Sequence, residues 1–141
     1  MTAIENESAF EVTGEFSFVA SHHLRSYRGS IENPHEHKFR ARIVLRVPQL
    51  DEDGISIDFA WLSRVLFDLR ERYNEYDLNA LEAFARINPS AENLAMDIAK
   101  TLGKRLAGNF NATVKCVEVW EMPDMSVRYY PDAKQPELAS P

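Results

Sequence analysis

Apolar residues recur along this chain with two different periods, and the switch between them lays out its elements. Over residues 9–21, Phe10, Val12, Phe16, Phe18 and Ala20 alternate with polar positions. Over residues 35–47, Phe39, Ala41, Ile43, Leu45 and Val47 alternate with Lys38, Arg40, Arg42 and Arg46. A period of two sustained that long predicts half-buried strands. Gly14 predicts a bulge or bend in the first. Pro48 stops the second, Asp51-Glu52-Asp53-Gly54 predicts a turn, and Ile55-Ser56-Ile57 leaves room for a short strand. Asp58 then offers a helix cap, and Phe59, Leu62, Leu66, Leu69 and Tyr73 follow helical spacing. Residues 74–88 have no period and predict an irregular connection. Ser90 and Glu92 open a second helix with the stripe Leu94, Ile98, Leu102 and Leu106, which Gly108-Asn109 ends. Residues 112–121 and 126–130, on either side of a Pro123-Asp124 turn, predict two further strands.

Strand, strand, helix, helix, strand, strand is the order of an α+β domain: a four-stranded antiparallel sheet with two helices on one face. Residues 9–130 form the domain, with flexible ends over 1–8 and 131–141. Such a sheet leaves two edges, and edges are paired or covered, so a homo-oligomer is expected.

Composition narrows the functional classes. At 141 residues the chain can bury one real core. A net charge of −6 argues against a nucleic-acid surface, and the alternating arginines of the second strand suit the solvated face of a sheet. The single cysteine, Cys116, permits no internal disulfide and fits a reducing compartment. No leader and no membrane-length apolar run is visible, so a soluble, cytoplasmic protein is expected.

The candidate chemistry sits where the two long strands begin and end. His35 and His37 share a face and continue the row begun by Phe39, while His22 ends the matching row of the first strand. If the strands are neighbours, three imidazoles converge, and three histidines with an open position suit a catalytic Zn²⁺. Spacing alone leaves the other reading open, because most H-x-H pairs bind nothing. His23 alternates to the opposite face and reads as structural.

Several short motifs, in order, resemble one family. Phe18-Val19-Ala20-Ser21-His22-His23-Leu24 is similar to its F-x-A-A/S-H-x-L, His35-Glu36-His37 to its H-G-H, and Ile57-Asp58-Phe59-Ala60-Trp61-Leu62 to its V/I-D-F-x-x-L. Leu78-Asn79 and Asn88-Pro89-Ser90-Ala91-Glu92-Asn93 resemble its L-N and N-P-T-x-E-N, and Val119-Trp120-Glu121 its V-x-E-T. The family is that of 6-pyruvoyl-tetrahydropterin synthase and 6-carboxy-tetrahydropterin synthase. The resemblance implies the tunnelling fold, in which sheets of a trimer close into a β-barrel and trimers pair into homohexamers, with sites between subunits. It implies His22, His35 and His37 as zinc ligands and Glu121 as the anchor of a small pterin-like substrate. Without that context Glu121 reads as a solvated charge at a strand end.

Three positions depart from the family pattern. Ile31 stands where the named activities carry a base cysteine, while Glu32 fits the E-x-x-H-x-H of a malarial-type branch that cleaves dihydroneopterin-type side chains. Asn74 and Glu75 stand where a proton-relaying Asp-His pair is expected; Glu75 can still carry a proton, Asn74 cannot hold charge, and Asp77 is an alternative acid. Glu36 replaces the glycine between the histidines and points away from them. The expected function is a zinc-dependent lyase acting on the C6 side chain of a reduced pterin, dihydroneopterin or its triphosphate, with Glu32 as base. The alternative is a zinc-containing pterin- or purine-binding homologue whose catalysis is lost or redirected.

Overall fold

A computed structural model describes residues 9–133. Four strands, β1 (Phe10–His22), β2 (His35–Val47), β3 (Thr113–Met122) and β4 (Met125–Tyr129), form one antiparallel sheet in the order β1-β2-β3-β4. Helix α1 (Phe59–Tyr73) packs on β1, and α2 (Ala91–Leu106) packs on β3 and β4. Two 3₁₀ turns, Leu78–Ala80 and Glu82–Phe84, punctuate the connection expected to be irregular. Ser90 caps α2 through the Asn93 N–H, as expected, and Asp58 caps α1 through the Ala60 N–H. Of the flexible ends expected over 1–8 and 131–141, residues 1–8 and 134–141 lie outside the described residues.

The alternation of the two long strands is realised as a core. Phe16, Phe18 and Ala20 of β1 and Phe39, Ala41, Ile43, Leu45 and Val47 of β2 are buried beneath the helices, and so are Leu94, Ile98, Leu102 and Leu106 of α2. Helix α1 is rotated from its expected face: Leu62, Val65, Leu69 and Tyr73 are buried, whereas Phe59 is 71% exposed and Leu66 lies at the flank. At 100° per residue Val65 completes the arc of Leu62, Leu69 and Tyr73, and Phe59 falls to its margin. Ile57 is buried but belongs to no strand.

Gly14 makes no bulge. The β1–β2 register runs unbroken from Phe10↔Val47 to His22↔His35. The glycine instead gives room for a close approach, since a Cβ there would lie 2.9 Å from Leu66 Cδ1. The irregularities fall instead on β3. Val44 pairs with Cys116 but Leu45 pairs with Val114, so Lys115 is an extra residue against β2. That bulge lets Val114, rather than a lysine, face the core opposite Leu45. A second register shift, between Trp120 and Met122, leaves Glu121 unpaired against β4.

The opposite face of the sheet carries paired charge. Glu15 lies 3.3 Å from Arg40 and 2.8 Å from Arg42, and the Arg40 guanidinium sits 3.7 Å from the centre of the Trp120 ring. Glu118, buried on this face, accepts from Ser126 at 2.7 Å and meets Arg128 at 3.2 Å. No helix among the described residues is long and apolar enough to cross a membrane.

Candidate metal centre

The β1–β2 register sets His22 directly opposite His35 and leaves His37 two residues further along the same face. The three rings converge, with centroids 4.7 Å apart for His22 and His35, 4.5 Å for His35 and His37, and 5.3 Å for His22 and His37. Glu121 reaches the same point from β3. One ligand atom from each of these four side chains lies within 4.8 Å of all the others.

Two backbone carbonyls decide which nitrogens are free. His22 Nδ1 donates to the Pro89 carbonyl at 2.7 Å and His35 Nδ1 to the Asn33 carbonyl at 3.2 Å. A carbonyl oxygen only accepts, so both Nδ1 atoms carry hydrogen and both Nε2 atoms of the neutral rings present lone pairs. Histidine ligands of metals are typically oriented in this way. His22 Nε2 is buried without a hydrogen bond, yet Glu121 Oε1 lies 2.7 Å away. A lone pair facing a carboxylate oxygen at that distance requires a cation or a proton between them. This donor set therefore fits a metal ion.

The titration tendencies agree with the geometry. Burial alone would push His22 down, but the Glu121 carboxylate and the Pro89 carbonyl outweigh it, and its pKa is raised. Burial lowers His37, and its two histidine neighbours lower it further. The His22 ring against Glu121 holds that carboxyl below its ordinary range.

A cavity of about 440 Å³ opens beside the cluster, lined by His22 and His35, by Glu121, by Glu32 and Tyr27, and by the start of α2 at Ser90-Ala91-Glu92. Residues 24–32 fold over it as a small hairpin. Tyr27 and Ser30 exchange backbone hydrogen bonds at 2.8 and 3.1 Å around a turn with positive φ at both Arg28 (52°) and Gly29 (81°). At its base Glu32 N–H donates to the Leu24 carbonyl at 3.0 Å, and Glu32 Oε1 accepts from the Leu24 N–H at 3.2 Å. This clasp sets the Glu32 carboxylate 3.6 Å from His35 Nδ1. Ile31 is 78% exposed.

Asn74 and Glu75 are placed elsewhere. Asn74 Oδ1 accepts from the Val19 N–H at 3.0 Å, the Glu75 N–H donates to the Val19 carbonyl at 2.6 Å, and Ser21 N–H donates to the Tyr76 carbonyl at 3.1 Å. These residues cover part of the free edge of β1, and they do not line the cavity of their own chain. Glu36 is exposed, and His23 is held by its backbone to the Asn79 side chain. Sequence reasoning missed the Pro89 carbonyl and the approach of Glu121 to His22. The first could be suspected from an Asn-Pro that ends a loop, whereas the second depends on a bulge that leaves no clear pattern.

An antiparallel α+β sheet that gathers three histidines and a glutamate where its first two strands meet defines a class of domain with a group of side chains that could hold a metal ion. The 6-pyruvoyl tetrahydropterin synthase family model matches residues 11–132, and the chain belongs to that family. It is 29% identical over 129 residues to the 6-carboxy-5,6,7,8-tetrahydropterin synthase of Synechocystis sp., covering 88% of this chain and 95% of that one. The fold is that of the Caenorhabditis elegans 6-pyruvoyl tetrahydropterin synthase, with a TM-score of 0.75 at 21% identity over 87% of this chain and 96% of that one. It is also that of the Plasmodium vivax 6-pyruvoyltetrahydropterin synthase in a glutamate-to-cysteine form described as a catalytic residue mutant. There the TM-score is 0.67 at 18% identity, covering 88% of this chain and 98% of that one.

Proposed function

We propose that this chain is a zinc-dependent lyase acting on the C6 side chain of a reduced pterin such as dihydroneopterin or its triphosphate. The observation that carries this reading is the placement of Glu32, clasped at the cavity mouth 3.6 Å from His35. A glutamate is also the residue replaced in the Plasmodium vivax catalytic mutant.

His22, His35 and His37 would hold the zinc. Bound there, zinc would supply Lewis acidity toward the oxygens of the side chain. The protein's own groups do the rest. Glu121 accepts paired N–H bonds from the 2-amino group and a ring nitrogen, which orients the ring. Glu32 takes the proton of the hydroxyl on the second side-chain carbon. The bond between the first and second carbons then breaks, its electrons pass into the conjugated ring, and a proton returns to the first carbon. The products are 6-hydroxymethyl-dihydropterin and an aldehyde. Asn74 and Glu75, at the β1 edge, would serve the site of a neighbouring subunit, Glu75 as proton carrier and Asn74 as its support. That role requires the assembly the family implies, a homohexamer built from two barrel-forming trimers.

The test is zinc-loaded protein incubated with dihydroneopterin and its phosphates, with pterin products identified by mass. Cleavage is expected in the parent chain. In Glu32→Gln it should fall by at least about 10²-fold, the scale of a lost general base, with zinc affinity retained. Saturable binding without product in the parent would point to a binding homologue, the reading favoured by the engagement of Asn74 in the strand edge.

A further inference from the structure

We infer that Glu121 closes the metal site of the substrate-free protein as its fourth ligand, and that ring binding pulls it off. The inference rests on the zinc and pterin reading above and adds a second state to it. Glu121 Oε1 lies 2.7 Å from His22 Nε2 and 4.0 Å from His37 Nε2. Ligands around a tetrahedral zinc stand about 3.3 Å apart, given metal–ligand distances near 2.0–2.1 Å. The two separations bracket that value, so small side-chain adjustments complete a three-histidine, one-carboxylate set. Zinc bound by four protein ligands is closed, and zinc with three is open to a substrate.

Glu121 is also built to move. It is the unpaired residue of the β3–β4 register shift, at the cavity wall, with its side chain one-third exposed. His22, by contrast, is buried and tied to Pro89. A ring presenting two parallel N–H donors offers the carboxylate charge-assisted bonds that replace its bond to the metal. The metal is then exposed only when the correct ring is seated. A diol or phosphate lacking that ring meets a closed site, so selectivity comes from shutting the metal to other ligands as well as from attracting the right one.

Two measurements test this without reference to turnover. Zinc affinity is determined by competition with a chromophoric chelator for the parent, Glu121→Ala and Glu121→Gln, with melting of the metal-free proteins confirming that each is folded. The alanine variant should bind zinc at least about tenfold more weakly, the scale on which groups at a metal site act. Equal affinities overturn the inference. The cobalt-substituted parent is then titrated with 2-amino-4-oxopteridine, which has no C6 side chain to reach the metal. A change in the visible cobalt spectrum that saturates with ring binding is expected, because one protein ligand leaves. Binding with an unchanged spectrum means the carboxylate stays, and overturns the release. No binding at all overturns the pterin reading and the release together, while the affinity loss in Glu121→Ala would still establish the closed site.

Discussion

At His22 a single backbone carbonyl does what the side chain cannot do for itself. By accepting the Nδ1 hydrogen, Pro89 leaves Nε2 facing inward with a lone pair. The convergence of His22, His35 and His37 was legible in the sequence because a strand's period of two fixes faces once two strands are known to pair. What surrounds them was not. Pro89 is 67 residues from His22, and beyond the Asn-Pro that ends a loop neither segment shows that the two meet. Asn74, which stands at a position of the family's proton relay, also accepts from the Val19 N–H, a contact 55 residues away that the sequence does not show. Replacing Asn74 by Ala should cost about 1 kcal/mol of unfolding free energy, the worth of one such hydrogen bond. It should leave zinc affinity unchanged, measured by denaturant unfolding and chelator competition. A loss of zinc binding would show that the β1 edge supports the metal site.

Among the elements, strands and helices were legible to within a residue or two, because their periods and caps are local properties. Their contacts were not. A glycine within an alternating strand suggests a bulge, but Gly14 has ordinary pairing and serves the approach of α1. The two causes respond differently to a methyl group. At a bulge with positive φ, alanine is strained. At Gly14 the atom it would meet is the end of the flexible Leu66 side chain. Gly14→Ala should therefore cost less than about 1 kcal/mol in thermal or urea unfolding, and a loss of several kcal/mol would mean that α1 cannot yield. The face of α1 was misjudged for a related reason. Leu66 and Val65 are equally apolar, and only the position of β1 decides which one turns inward.

For the whole molecule, the decisive feature is two strands that end the sheet. Among the described residues, β1 is covered only where residues 74–77 lie against it, and β4 has no neighbour beyond it. A four-stranded sheet with such edges calls for pairing with other copies, and closing sheets into a barrel removes the edges altogether. Light scattering on the purified protein should give a mass six times that of one chain. A monomer persisting at micromolar concentration would leave the Asn74–Glu75 segment without a neighbour's site to serve. The α+β class was legible from the order of periods alone; assembly was legible only as a need, since the sequence shows edges and not what meets them.

The extra residue at Lys115 separates two halves of β3 that would otherwise be locked in phase. Before it, even-numbered Val114 faces the helices; after it, odd-numbered Val117, Val119 and Glu121 do. Insertions or deletions near the start of this strand would normally invert every side chain downstream and turn Glu121 away from the histidines. With a bulge in between, such a change can be absorbed by gaining or losing that one residue. The core end of the strand can then vary in length while the end that carries Glu121 keeps its orientation.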